Sequence, residues 1–177
     1  NNFFETRVVL TGQHSQMVKQ ITDLFEIKID KNLNLMRPSQ SLTYLTSSTL
    51  EALEKDFGNY KPEIVLVQGD TTTAFSSALA AFYSNITIAH VEAGLRTDNI
   101  LNPFPEEANR RLISQLTRLH FAPTARAKEN LIKSGVNGEV YLTGNTVIDA
   151  LLSVANKKEK ISIPGYKSSN RKLILAT

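Results

Sequence analysis

Residues 63–82 read EIVLVQGDTTTAFSSALAAF. A short aliphatic run is followed by a glycine, an acid, three threonines and a string of small and apolar residues. That order describes a buried strand passing through a tight turn into a helix. An acid at such a junction has two readings. Asp70 can be an N-cap whose carboxylate accepts orphan helix N–H groups, with the threonines in the first turn. Alternatively it is a chemical group at the carboxyl end of a strand, where open parallel sheets bind their ligands.

Outward from this stretch the same alternation repeats. Strands are expected at 6–10 (TRVVL), 63–68, 86–92 (ITIAHVE), 119–123 (LHFAP), 139–143 (EVYLT) and 172–176 (KLILA). Helical periodicity falls at 15–26, 41–57, 72–83, 105–117, 125–134 and 147–156. Strand and helix in strict turn predict right-handed crossovers, and near-continuous apolar strands predict a parallel sheet covered on both faces. The fold class is therefore α/β, a Rossmann-like doubly wound parallel sheet. Residues 1–156 form the domain, and 157–177 comprise a Lys-, Ser-, Pro- and Gly-rich linker followed by a final strand. The chain opens almost on a strand and closes on one, so the domain's first strand is expected to be missing and the chain to be a piece of a longer enzyme.

Composition narrows the class. Of 177 residues 41% are hydrophobic and 21% charged, and 20 Lys+Arg against 17 Asp+Glu leave +3. Such a small excess gives no electrostatic argument for nucleic acid. The absence of cysteine removes disulfides and thiolate metal sites and fits a reducing, cytoplasmic setting. No apolar run reaches the ~20 residues of a membrane span, and NNFFETRVVL is no signal peptide.

Function is tested by the residues at the carboxyl end of each strand. After 6–10 come Gln13, His14 and Gln16; after 63–68 comes Asp70; the third strand ends at Glu92 and leads to Arg96; Gly144 and Asn145 succeed 139–143. Amide and carboxylate groups from successive crossovers thus arrive at one rim. Glu92 sits among apolar neighbours, which predicts burial, and an unpaired buried acid is costly. His90 alternates onto the same face as Glu92. It reads more simply as a hydrogen-bonded core histidine than as a catalyst.

The segment NPFPEEANRRLISQL (102–116) contributes further groups. Pro105 suits a first helical turn. Glu106/Arg110 and Glu107/Arg111 are both i,i+4 pairs, and a stripe of Ala108, Leu112 and Leu116 is expected to be buried between them. Exposed, each pair would contribute only about 0.3–0.5 kcal/mol. Geometry alone leaves open which pair faces the rim.

The motifs VLVQGDTTTAFSSALAAFY, IAHVEAGLRT, NPFPEEANR, LHFAPT and YLTGNTVIDALL, in this order, closely resemble the N-terminal domain of the non-hydrolysing UDP-N-acetylglucosamine 2-epimerases. The resemblance runs from about Phe3 to the last strand. It implies one half of a glycosyltransferase-B-type, two-domain enzyme working as a homodimer. The family's opening Gly-Thr-Arg-Pro-Glu turn and its C-terminal domain, with most of the UDP contacts, have no counterpart in this sequence. The implied reaction interconverts UDP-N-acetylglucosamine and UDP-N-acetylmannosamine by eliminating and re-adding UDP through 2-acetamidoglucal. It requires no metal and no nicotinamide cofactor.

Carried over residue by residue, the resemblance makes Asp70 and Glu92 the proton-transferring pair. It makes Glu106 a group on a sugar hydroxyl and selects Arg110 with it. Gln13, His14 and Gln16 match a segment that in some members binds a second UDP-N-acetylglucosamine as activator; Gln40 matches too, although Ser39 stands where those members carry arginine. Thr71, Thr72, His90, Arg96 and Asn145 complete the candidate contacts. Rival readings are a hydrolysing or differently specific sibling, a glycosyltransferase, and a domain that binds nucleotide sugar without chemistry. The 177-residue piece alone is expected to be inert.

Overall fold

The structure is a computed structural model that describes residues 3–12 and 15–157, without the side chains of 15–17. The expected strand at 172–176, the linker beyond Lys157, residues Gln13 and His14 and the side chain of Gln16 lie outside the described residues. In chain order the elements are β1 (Val9–Leu10), α1 (Ser15–Leu24), β2 (Lys31–Asn32), α2 (Leu42–Tyr60), β3 (Ile64–Gln68), α3 (Thr72–Tyr83), β4 (Thr87–Val91), α4 (Glu106–Leu116), β5 (Leu119–Ala122), α5 (Ala125–Lys133), β6 (Glu139–Leu142) and α6 (Thr146–Asn156).

The parallel α/β expectation holds, but the sheet is not covered on both faces as expected, since Ile64 and Leu66 of β3 and Tyr141 and Leu142 of β6 are exposed, and the strands are grouped differently. β3, β4, β5 and β6 form a four-stranded parallel sheet in sequence order, while β1 pairs with β2 in a separate two-stranded parallel ladder. β2 has no counterpart among the expected strands, because KIDKNLNL is too polar to read as one. That small ladder is tied down by charge. Asp56 of α2, 1% exposed, accepts from both Arg7 and Lys31. The Arg7 guanidinium then stacks 4.6 Å over the Tyr60 ring.

Register sets the level at which the chain leaves the main sheet. Gln68 at the end of β3 lies opposite Val91 at the end of β4. The next residues, Gly69 and Glu92, therefore emerge side by side at the carboxyl rim.

The core is built where α2, α3 and α4 cover the sheet. Leu53 and Phe57 of α2, Val67 of β3, Ala74, Ala78 and Ala81 of α3, Ile88 of β4 and Ile113 of α4 form one buried cluster. α3 packs against both α2 and α4, which is why small residues occupy more than one of its faces. Its buried Ser76 hydroxyl is satisfied by the Thr72 carbonyl at 2.7 Å. A smaller cluster of Ala93, Ala122, Ala127 and Leu131 joins β5 to α5. Here Gly94 has φ +93, and a Cβ on it would stand 2.2 Å from the Ala127 carbonyl oxygen, so no other residue fits without movement.

The chain divides into two compact units between Asn145 and Thr146, ahead of α6; the sequence suggests a break after that helix instead. α6 belongs to the second unit and is an apolar helix with Asp149 in its first turn. No helix among the described residues is long and apolar enough to cross a membrane.

Candidate functional site

Gly69, with φ +72, turns the chain out of β3 and sends Asp70 across the rim. The cap of α3 is then Thr71, whose side chain accepts from the Ala74 N–H at 3.1 Å. The capping reading of Asp70 is thereby overturned, because the position that can receive the first-turn N–H groups is already occupied. Asp70 instead turns its carboxylate to α4, where Arg110 Nη2 lies 2.6 Å from Oδ2. The neighbouring Asn109, 6% exposed, donates from Nδ2 to the Asp70 carbonyl at 2.9 Å and lies 3.4 Å from the Thr72 hydroxyl. Two consecutive α4 residues thus hold one residue of the β3–α3 turn by its backbone and its side chain. The Asp70 side chain remains 26% exposed.

The turn is also held from β4. His90, 1% exposed, lies with Nε2 2.8 Å from the Gly69 carbonyl, which can only accept, so Nε2 carries the proton. Burial pushes this imidazole from its usual 6.5 down to about 4, against a smaller upward pull from that same bond. His90 is therefore neutral near pH 7 and serves the turn, with no face open to a ligand. Nδ1 has no hydrogen-bond partner.

Glu92 is the first residue beyond β4 and has φ +67, a left-handed conformation uncommon outside glycine. The strand alternation expected to put His90 and Glu92 on one face stops at Val91. Both nevertheless reach Gly69, His90 at its carbonyl and Glu92 from above. Glu92 Oε2 lies 3.7 Å from where a Gly69 Cβ would be. Asp70 and Glu92 are thus gathered at one turn.

Helix α4 departs most from expectation. Its buried residues are Glu107, Asn109, Ile113 and Ser114, while Leu112 of the expected stripe is 49% exposed. The helix packs against the polar β3–α3 turn as well as the core, so its inward face is itself polar. The expected Glu106–Arg110 pair does not form; Arg110 reaches Asp70, and its Nη1 lies 3.5 Å from Glu107 Oε2. Glu106 opens the helix, half-buried, with no ion pair among the described residues. The Glu107–Arg111 pair forms at 2.6 Å, but with Glu107 entirely buried and not at the surface.

Arg96 approaches the same helix from the β4–α4 loop. Its Nη2 donates to the Ser114 hydroxyl at 2.9 Å and its Nη1 to the Leu95 carbonyl at 2.8 Å. Burial holds this guanidinium below its ordinary range; Glu107 opposes the shift, and Arg111 and Arg110 add to it. Gln40 is half-buried, its Oε1 accepting from the Arg37 N–H at 3.0 Å, with Arg37 stacked 4.7 Å over Tyr44. Asn145 is half-buried at the end of the first unit.

Asn109 and Ser114 went unmarked at the level of sequence, and Glu107 was marked there only as half of an i,i+4 pair. A hydrophobic wheel cannot find them, since it assumes that the buried side of a helix is apolar.

A parallel sheet with Asp70, held by Arg110, beyond the end of one strand and Glu92 beyond the end of the next has the Rossmann-like form of one half of a glycosyltransferase-B-type protein. Similar chains carry the point further. Over 97% of its length the chain matches the UDP-N-acetylglucosamine 2-epimerase of Campylobacter jejuni at 51% identity, covering 48% of that relative. The crystal structure of the UDP-GlcNAc 2-epimerase from Neisseria meningitidis bound to UDP-GlcNAc superposes with TM-score 0.85 at 49% identity over 89% of this chain and 43% of that one. The Methanocaldococcus jannaschii UDP-GlcNAc 2-epimerase in complex with UDP-GlcNAc and UDP gives TM-score 0.81 at 35% identity, with 89% and 44% covered. The family model for UDP-N-acetylglucosamine 2-epimerase matches residues 1–177, and the chain belongs to that family. It spans about half the length of the curated relatives it matches.

Proposed function

We propose that the full-length protein carrying this chain is a non-hydrolysing UDP-N-acetylglucosamine 2-epimerase, interconverting UDP-N-acetylglucosamine and UDP-N-acetylmannosamine. C2 of the sugar has no adjacent carbonyl, so its proton cannot leave alone. A base takes it as the C1–O bond to UDP breaks, giving 2-acetamidoglucal. UDP then re-adds at C1 while an acid delivers a proton to the opposite face of C2. Asp70 and Glu92 are the proton-transferring groups. Glu106 engages a sugar hydroxyl, and Arg110 holds Asp70. Thr71, Thr72, Arg96 and Asn145 border the nucleotide sugar, while His90 acts behind it by fixing Gly69.

The observation that carries this reading is the placement of Asp70. Its carboxylate is spared from capping, held by Arg110 and left accessible beside Glu92. UDP and its cations are assigned to a C-terminal domain facing this one, and the working form is a cytoplasmic homodimer in cell-surface polysaccharide synthesis. Gln13, His14, Gln16 and Gln40 are the candidates for a second, activating nucleotide sugar.

The test is incubation of the full-length protein with UDP-N-acetylglucosamine in deuterated water, with NMR of the products. The expected product is the manno epimer carrying deuterium at C2. Free N-acetylmannosamine as the main product would make the enzyme hydrolysing, and no exchange at all would reduce it to a binding domain.

A further inference from the structure

Glu107, a side chain with no part in the proposed reaction, has no exposed surface, and a buried carboxylate is costly unless several donors meet it. Its donors come from two directions. Oε2 accepts the backbone N–H of Thr97 at 3.0 Å, in the loop that carries the chain on from Glu92. Oε1 accepts Arg111 Nε at 2.6 Å, and Arg111 Nη2 donates in turn to the Thr97 carbonyl at 2.8 Å. The Thr97 residue is therefore clasped at its N–H and its carbonyl by two α4 side chains. On its third side Glu107 Oε2 lies 3.5 Å from Arg110 Nη1, while the other arm of that guanidinium, Nη2, is 2.6 Å from Asp70.

A guanidinium fork prefers to bind one carboxylate with both arms. Here the nearest contacts of its two arms go to two different carboxylates, Nη2 to Asp70 and Nη1 to Glu107. We infer that Glu107 is a positioning residue: by holding one arm of Arg110 and the Thr97 peptide, it sets how Arg110 meets Asp70 and fixes the Glu92-bearing loop against the Asp70 turn. This role rests on the epimerase reading for its chemical meaning, though the geometry stands without it. With Glu107 neutralised, Arg110 is released to turn both arms to Asp70, and the carboxylate is displaced from its present position.

The test uses the full-length protein and Glu107→Gln, with Glu107→Asp as the conservative partner. Glu107→Gln is expected to lower kcat by about 10–100-fold, with KM within about threefold, as for a misplaced catalytic group. Glu107→Asp keeps the charge and recovers part of the loss. The Arg110 guanidinium NMR signals provide a readout independent of turnover: two inequivalent arms in the unaltered protein, and a changed pattern in Glu107→Gln. Unchanged kcat and unchanged Arg110 signals would overturn the role. Should Glu107→Gln fail to fold, Glu107→Asp as inactive as Arg110→Ala, with Arg110 signals identical to the unaltered protein, would overturn it too. An unaltered protein that shows no C2 exchange, yet whose Arg110 signals respond to Glu107→Gln, would sink the epimerase reading and leave the positioning role standing.

Discussion

Arg110 of α4 lies 2.6 Å from Asp70 at the mouth of β3, while its helical neighbour Asn109 holds the Asp70 carbonyl at 2.9 Å. One turn of one helix thus determines both where the aspartate backbone sits and where its carboxylate points. An acid that begins a threonine-rich helical stretch is thereby removed from helix capping and kept at the rim.

The division of labour between Asp70 and Thr71 is measurable. Thr71→Ala should lower stability by about 1 kcal/mol, the usual cost of losing an N-cap side chain. Asp70→Asn should abolish C2 deuterium exchange with a far smaller effect on thermal unfolding. Wild-type exchange in Asp70→Asn would return Asp70 to a structural role.

Glu92 stores backbone strain at the site, since a non-glycine residue at φ +67 carries a cost of order 1 kcal/mol. Glu92→Gly is therefore expected to preserve or raise the unfolding midpoint while eliminating exchange. Glu92→Gln, which keeps the strain, should lose exchange without gaining stability. Denaturant unfolding beside the NMR assay separates the two effects.

His90 makes stability depend on pH in a calculable direction. Its imidazole falls from 6.5 to about 4 on folding, so below pH 6.5 the unfolded chain takes up a proton that the folded chain refuses. Stability should be full above pH 6.5 and decline as pH falls toward about 4, by roughly 3 kcal/mol from this group at 1.36 kcal/mol per unit. His120, also buried and also shifted down, adds to the decline. His90→Gln should flatten the curve measured by urea titration between those pH values; an unchanged slope would show that the imidazole is not buried as a neutral ring.

Asp56 anchors the β1–β2 ladder to α2, and the Arg7 and Lys31 bonds hold its carboxyl below the usual range. Asp56→Asn leaves two cations without their counter-ion. A loss of about 2–3 kcal/mol is expected, between the values for exposed and fully buried pairs. The check is amide exchange: Val9 and Leu10 should lose protection ahead of β3 and β4.

The sheet was legible in the sequence because IVLVQ and TIAHV are apolar at nearly every position, although the burial on both faces that such runs suggest is not met in β3, where Ile64 and Leu66 are exposed. The rim was legible for the same reason, since polar groups stand out where an apolar run stops. Helix α4 was not. The pattern EEANRRLISQL invites an apolar face through Ala108, Leu112 and Leu116, whereas Asn109 is buried on the Asp70 turn, and Glu107 and Ser114 on the β4–α4 loop through Thr97 and Arg96. β2 was missed because two residues of KIDKNLNL gain their pairing from Val8 and Leu10, and nothing local predisposes them. Glu92 was expected on the face of His90; a single left-handed residue sets it apart, and side-chain type does not announce backbone sign.

The alanines of α3 acquire a meaning from this arrangement. Asp70 is anchored to α3's neighbour and not to α3's own first turn, so the spacing between the two helices fixes how deeply the arginine reaches. Ala78 and Ala81, each with 0% exposure, lie in the cluster that also holds Ile113 of α4, so this part of the core is filled by side chains no larger than a methyl group. On the proposed reaction, enlarging either one is a remote way to detune proton transfer, by a wedge that overpacks the core without touching a reacting atom.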